Sequence, residues 1–276
     1  MNSPKEVAQN YIAIGVGKTK LSAGRMLVLA ILAGMFIALA GVGSTIASVT
    51  VANASLAKLI SAAVFPTGLA MVLVAGSELF TGNSLLIIPV LEKQAKVSAV
   101  LRNWFFVYIG NLIGSILVSA LAVYGGTFDL FSNAAAAAVI KTAAAKVTLS
   151  FGDALLRGIL CNFLVCIAVW MSFAAKDVVG KIAGLYLPIM LFVVSGHEHS
   201  VANMYYISAG LFAAKNPTYA AAATEAGVNL SKLSWGAMFG SNLLPVTIGN
   251  IIGGLVLVGA AYWFVYLKTD KDKKAK

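Results

Sequence analysis

Charge is scarce in this chain, and histidine and cysteine are scarcer still. Of the 276 residues, 11% are charged, ten are acidic, two are histidine and two are cysteine, whereas 60% are hydrophobic. An ordinary soluble domain carries about 25% charged residues. The apolar runs of this chain reach the roughly 20 residues that a helix needs to cross a bilayer. The sequence therefore predicts an integral membrane protein.

The same scarcity argues against several kinds of site. Cys161 and Cys166 lie in one apolar run, which is not typical of a disulfide framework or a zinc site, and we interpret both as packing residues. His197, Glu198 and His199 are metal-ligand types, but adjacent residues do not share a helical face and no cluster elsewhere could complete a metal shell. No pairing of nucleophile and base is visible. We expect no cofactor, no metal and no enzymatic activity.

The excess of basic residues indicates topology and not nucleic-acid binding. The net charge is +10, yet no basic face carries interleaved aromatic residues, and the charges lie between apolar runs. Placing both termini in the cytoplasm puts fourteen of the twenty Lys and Arg residues on that side. This is the distribution that the positive-inside rule predicts.

Six spans are predicted, and they divide the chain into three parts. The spans lie at about 26–50, 60–90, 103–124, 154–175, 182–211 and 236–267, judged by the length that crosses the hydrocarbon. The parts are a cytoplasmic amphipathic segment at 1–25, a transmembrane domain at 26–267 and a basic cytoplasmic tail at 268–276. Ser3, Pro4 and Glu6 predict a capped helix start within the first part.

Two pairs of motifs indicate a duplication. The stretches 76–83 and 196–203 both read Gly-x-Glu-x-x-x-x-Asn and start 120 residues apart, and Gly-Asn-Leu-Ile-Gly at 110–114 returns as Gly-Asn-Ile-Ile-Gly at 249–253. Since each half has three spans, the second half enters the membrane from the opposite side and the repeat is inverted. We therefore predict an all-α membrane protein with six transmembrane helices in an inverted 3+3 repeat.

The second and fifth helices are expected to be broken. Each contains a proline, Pro66 or Pro188, together with one of the two glycine-led stretches. Non-helical backbone is tolerated at membrane depth only where protein or a water-filled cavity satisfies it. In inverted-repeat transporters such breaks line the substrate route near the midplane.

The stretch from Gly196 to Asn203 places both histidines and a carboxylate in an otherwise apolar segment. A charged side chain at bilayer depth costs at least about 2.5–3.5 kcal/mol, so such residues usually face a cavity. We interpret the stretch as the centre of a pore; the alternative is a hydrogen-bonded interhelical His199 with Glu198 as its partner. Because neighbouring helical residues point in different directions, we assign Glu198 and its repeat mate Glu78 to holding the broken helices.

Four separated motifs resemble the formate/nitrite transporter family. They lie at 78–83, 157–166, 196–204 and 242–250, and the resemblance runs from about residue 20 to 266. It implies a homopentamer of six-helix, aquaporin-like protomers, each with its own pore for small monovalent anions. It also implies a multi-pass protein of the bacterial inner membrane with both termini in the cytoplasm.

The resemblance also assigns roles to individual residues. It implies an outer constriction at Phe65 and Phe192. It implies further apolar gate or slit residues at Leu69, Leu79 and Phe80. It also implies polar residues near the pore histidine His199, at Thr81, Asn162 and Asn242, and a basic residue of the outer vestibule at Lys146.

One position departs from the family pattern. Many members have an aromatic residue where this chain has His197, which leaves formate, nitrite and hydrosulfide open as substrates and makes the hydrosulfide branch a candidate. A neutral-solute channel of the aquaporin or ammonium type is the alternative. It is disfavoured because paired Asn-Pro-Ala boxes and histidines on two separate spans are absent.

An anion entering an apolar constriction needs compensation for its lost hydration. Lys146 could attract it at the mouth within a Debye length of about 8–10 Å. His199 could act deeper, because burial disfavours the charged imidazole whereas an arriving anion favours it. The sequence leaves open whether His199 passes a proton to the anion.

Overall fold

The structure is a computed structural model that describes residues 1–268. The predicted tail therefore lies outside the described residues, apart from Lys268. The described residues form helices and connecting segments, with no strand among them. In chain order the α-helices are α1 (Pro4–Lys20), α2 (Ala23–Ser48), α3 (Ala54–Val64), α4 (Pro66–Ala75), α5 (Ile87–Leu91), α6 (Val97–Tyr124), α7 (Ala134–Val147), α8 (Phe151–Ala174), α9 (Val178–Val194), α10 (Ser200–Ala213), α11 (Pro217–Glu225), α12 (Trp235–Ala237), α13 (Leu244–Gly254) and α14 (Ala261–Trp263).

Shorter turns complete these helices into membrane spans. A 3₁₀ turn at Gly82–Leu86 precedes α5, and π-helical turns join α12, α13 and α14 into one helix from Trp235 to Lys268. Within the described part of the chain, five helices are long and apolar enough to cross a membrane: Ala23–Ser48, Ala54–Ala75, Val97–Tyr124, Phe151–Ala174 and Trp235–Lys268. The pair α9 and α10 supplies the sixth predicted span, so six spans with breaks in the second and fifth are confirmed.

The two breaks have the same backbone geometry. Gly76 ends α4 with φ 82°, and Gly196 follows α9 with φ 72°, both in the left-handed region that glycine adopts without a steric penalty. The chain then runs without helix to Thr81 in the first half and to His199 in the second. Backbone polar groups in these segments need partners from the protein, since lipid offers none.

Two asparagines supply those partners. Asn111 of α6 accepts from the Phe80 N–H at 2.9 Å and donates to the Glu78 carbonyl at 2.9 Å. Asn250 of α13 accepts from the Ser200 N–H at 2.9 Å and donates to the Glu198 carbonyl at 3.0 Å. The repeated Gly-Asn motif thus places one amide beside each break.

The repeat extends further than the six spans. Asn111 also donates to the Ala30 carbonyl, and Asn250 to the Gly158 carbonyl, both at 2.8 Å. Ala30 and Gly158 are 128 residues apart, and the same spacing separates Lys18 at the end of α1 from Lys146 at the end of α7. Helices α1 and α7 are therefore repeat mates, and each half comprises a short helix followed by three spans.

The start of α1 has the predicted cap. Ser3 is the N-cap, Pro4 is the first helical residue, and Glu6 closes a capping box by accepting from the Ser3 N–H at 2.7 Å and from its hydroxyl at 2.8 Å. These hydrogen bonds, the backbone one foremost, lower the pKa of the exposed Glu6 carboxyl. The opposite face of α1 buries Val7 and Tyr11 against the transmembrane helices.

Glycine permits the closest helix contacts. A Cβ atom on Gly114 of α6 would collide with the Ile31 carbonyl oxygen of α2, and one on Gly253 of α13 would collide with the Ile159 carbonyl oxygen of α8. These helix pairs carry the asparagines described above. The separation between helices is therefore set by the absence of a side chain at these contacts.

We predict that Gly114→Ala and Gly253→Ala each lower the thermal unfolding temperature of the purified protein in detergent. The added methyl group meets backbone and not a flexible side chain, and such overpacking costs about 1–3 kcal/mol or more. Gly24→Ala in α2 is the matched control, because nothing lies within 4 Å of its Cβ position. The control should unfold at the parent's temperature or slightly above it. Equal behaviour of the three variants would contradict the contact argument.

Candidate functional site

Two recesses approach each other from opposite ends of the protomer. The recess beside α7, here called the outer vestibule after the predicted topology, has a volume of about 480 Å³ and reaches Phe65, Phe192 and His199. The recess beside α1, the inner vestibule, has a volume of about 30 Å³ and reaches Leu69 and Leu79. Four of the predicted constriction residues therefore lie where the two recesses end: Phe65, Phe192, Leu69 and Leu79.

His199 is positioned by the N-terminus of α10. It is the N-cap residue, its Nδ1 accepts from the Ala202 N–H at 3.0 Å, and its side chain is buried at 3% exposure. Its Nε2 lies 2.9 Å from Thr81 Oγ1. Because Nδ1 accepts, a neutral imidazole carries its proton on Nε2, which then donates to Thr81. The Thr81 hydroxyl is left with its own proton to donate.

Aromatic and aliphatic side chains surround this polar pair. Phe65 and Phe192 meet edge to face with ring centroids 5.7 Å apart, and Phe192 stacks on His199 at 5.9 Å. Leu69 and Leu79 lie on the inner side and are buried. Thr81 and His199 thus form a polar pair between apolar side chains.

Phe80 lies on another side of the break. Its ring packs edge-on against Trp104 at 5.8 Å and Tyr108 at 4.9 Å, and its backbone N–H binds Asn111. These contacts of Phe80 are all with α6, whereas Leu79 borders the inner vestibule.

The two predicted asparagines take different places. Asn162 of α8 donates to the Thr81 carbonyl at 3.1 Å and to the Asn250 carbonyl at 2.6 Å, so it holds the segment that carries Thr81. Asn242 donates to the Lys146 carbonyl at 2.9 Å and accepts from Asn203 at 2.8 Å. Its hydrogen bonds within the described residues are to these groups and not to His199.

Each buried carboxylate after a break is held by a lysine and an asparagine. Glu198 accepts from Lys146 Nζ at 3.0 Å through both oxygens and from Asn203 at 2.6 Å. A carboxylate away from water requires such partners, since an unpaired buried charge is strongly destabilising. Lys146 borders the outer vestibule, but Glu198 offsets its charge.

The first half repeats this arrangement. Glu78 accepts from Lys18 Nζ at 2.7 Å and from Asn83 at 2.7 Å, and Asn103 also donates to it at 3.3 Å. In the sequence, Lys18 was counted only among the basic residues that indicate topology, Asn83 appeared only as the last residue of the stretch 76–83, and Asn103 was not considered. The 128-residue spacing of Lys18 and Lys146 was a usable signal.

Comparison with known proteins agrees with this architecture. The family model for formate/nitrite transporters matches residues 5–264. The chain is 40% identical over 285 residues to a probable formate transporter of Methanothermobacter thermautotrophicus, covering 96% of this chain and 97% of the relative. It is 36% identical over 273 residues to the formate channel FocA of Escherichia coli strain K12, covering 97% and 95%.

Solved structures show the same fold. A pentameric formate channel with formate bound superposes with a TM-score of 0.79 at 33% identity, covering 89% of this chain and 98% of that one. An ion channel of the same family superposes with a TM-score of 0.81 at 27% identity, covering 94% and 98%. These relatives are channels and transporters and not enzymes. On its sequence, its fold and its broken-helix site, this chain belongs to the formate/nitrite transporter family.

Proposed function

We propose that the chain conducts small monovalent anions, formate foremost, through a pore in each protomer that passes His199. The observation that carries the proposal is the Thr81–His199 hydrogen bond between apolar walls, where the outer and inner vestibules end. The names of the relatives support formate as the first substrate to test. Nitrite and hydrosulfide share its charge and small size.

The Thr81–His199 pair offers what a partly dehydrated anion needs. The Thr81 hydroxyl can donate to the anion while it accepts from His199, so the two groups polarise one another. His199 is the N-cap of α10, and the N-terminus of a helix favours negative charge. Between Phe192 and Leu79 these groups replace part of the lost hydration.

In this mechanism His199 acts as a neutral donor. To pass a proton on, the ring would first have to take one at Nδ1, which the Ala202 N–H occupies. Protonation would therefore break the N-cap of α10, which costs about 1 kcal/mol in addition to burial of the charge. The geometry thus favours hydrogen bonding over the proton relay left open by the sequence.

We assign Lys146, Glu78 and Glu198 a structural role in the pathway. Each carboxylate lies within a break and is bound to a lysine and an asparagine outside it. The proposed role of both carboxylates is to hold the broken helices in place. Lys146 pairs with Glu198 at the vestibule wall, and Asn242 positions Lys146 through its carbonyl.

Exposed apolar surfaces support the proposed assembly in a membrane. Large apolar side chains are exposed along the outer faces of α2, α6 and α8, among them Leu39, Phe105 and Leu160. We propose that these faces meet neighbouring protomers of a homopentamer and lipid. Both termini lie in the cytoplasm in this proposal, with the protein in the bacterial inner membrane.

The direct test is anion flux into liposomes that contain the purified protein. Formate, nitrite and hydrosulfide should each enter faster than into empty liposomes, with formate the fastest, and chloride should be slowest because it accepts hydrogen bonds least directionally. Correction for neutral acid crossing the lipid comes from the empty liposomes. Flux of neutral glycerol without formate flux would support a neutral-solute channel instead.

We predict that the formate flux of His199→Asn lies within about tenfold of the parent's flux, because the substitution removes at most the net contribution of one hydrogen bond. The variant should also keep the parent's dependence of flux on pH. Asparagine is a good N-cap and carries an N–H donor, but its side chain does not take up a proton in the range where histidine titrates. His199→Leu, which matches the repeat mate Leu79, lacks both groups and should lose about a hundredfold or more. A flattened pH profile in His199→Asn would contradict the neutral-donor role and favour a relay.

Assembly is checked by mass measurement in detergent. We predict five protomers per particle, as in the superposed pentameric formate channel. Replacing the exposed Phe105 of α6 by Glu should reduce the particle mass if this face lies between protomers, because an unpaired charge in an apolar interface is costly. A parent protein of one or three protomers would rule the pentamer out.

A further inference from the structure

The outer vestibule contains more positive charge than the Lys146–Glu198 pair accounts for. Lys58 of α3, Lys141 of α7 and Arg157 of α8 also line it. Glu198 is the one acidic residue among its lining residues, and both of its oxygens accept from Lys146. Lys58, Lys141 and Arg157 therefore add three positive charges to the recess, whereas the one carboxylate of its lining already accepts from Lys146.

His197 adds a charge that depends on pH. It follows Gly196 in the break, and it lines the same recess as Lys58, Lys141 and Arg157. The other ionisable groups of the lining are Lys146, Glu198, His199 and Tyr206, from α7, the break itself and α10. Apart from the two histidines, the reference pKa values of these residue types lie outside the range of pH 5–8.

The inner vestibule has no equivalent. Among the described residues that line it, Lys18 is the one cation, and it is bound to Glu78 at 2.7 Å. The repeat mate of His197 is Ser77, which also lines its vestibule and has no charge to gain. Among the described lining residues of the two recesses, cations beyond the lysine that pairs with a glutamate thus occur in the outer vestibule alone.

We infer that the outer vestibule holds a second anion site, separate from the Thr81–His199 pair, formed by Lys58, Lys141 and Arg157, with His197 setting its affinity through its protonation. The inference rests on the proposed anion function and adds the residues that collect the substrate. Its ligands are small monovalent anions that keep most of their hydration. Proton binding at His197 and anion binding strengthen each other, because linkage is reciprocal.

The site acts before the constriction, so its loss affects capture and not passage. Removing one cation near a hydrated anion changes the half-saturating concentration by about threefold to fivefold at low ionic strength. The effect shrinks when the Debye length falls to about 8 Å at physiological salt. The maximal flux changes little, because the constriction is untouched.

The experiment measures formate influx against external formate in liposomes with the vestibule facing outward, at about 10 mM and about 150 mM ionic strength. Lys58→Gln/Lys141→Gln/Arg157→Gln should raise the half-saturating concentration about tenfold or more at the lower salt, with unchanged maximal flux. The control, Lys215→Gln, removes an outer cation that lines a different recess. It should match the parent. An unchanged half-saturating concentration in the triple variant would overturn the site.

Two substitutions separate charge from shape at His197. The parent should bind formate more tightly at about pH 5.5, where His197 is protonated, than at about pH 7.5. His197→Gln should show the weaker formate affinity at both pH values, and His197→Lys the stronger affinity at both. Parent-like pH dependence in both variants would overturn the role of His197. Retained particle mass excludes misfolding.

Binding is measured independently of transport by chloride line broadening in NMR of the detergent-solubilised protein. The broadening should fall in the triple variant and remain in Lys215→Gln. Failure of the proposed function would appear as absent formate flux in the parent. Failure of the second-site inference would appear differently. The parent would conduct formate normally, and the triple variant would have the parent's half-saturating concentration and the parent's chloride line broadening.

Discussion

The rest of the structure depends on hydrogen bonding the backbone of two interrupted helices at membrane depth. Lipid offers no partners there, so the protein must supply them. Asn111 and Asn250 do so, each using its oxygen for an N–H and its amide group for carbonyls. For these amides to reach across, α6 and α13 must approach α2 and α8 closely. The glycines at those contacts are a consequence of the same requirement.

The placement of charge follows from the breaks as well. Glu78 and Glu198 come two residues after Gly76 and Gly196, and both are buried. A buried carboxylate is stable only with partners, which explains the lysines that α1 and α7 bring back to the breaks. The short helices that precede each set of three spans are thus parts of the scaffold.

Duplication accounts for the scaffold, whereas the differences between the halves account for the proposed pathway. Equivalent backbone positions hold Leu79 in the first half and His199 in the second. Thr81 joins the first break to the second through His199, so one polar pair lies between apolar walls. Histidine at position 199, opposite leucine at position 79, thus marks one position where the repeated motif has diverged.

Much of this architecture was predictable, because apolar length, glycine, proline and repeated motifs are local properties of the chain. The sequence by itself determined that the protein spans a membrane six times, that the second and fifth spans break, and that both histidines lie at one break. The tertiary structure decided the partners of the polar groups. It paired Glu198 with Lys146. It also made the Ala202 N–H the donor to Nδ1 of His199, and Asn242 the donor to the Lys146 carbonyl. Most of these partners lie on other helices, and a hydrogen bond needs about 3 Å, a distance that only the packing of helices sets.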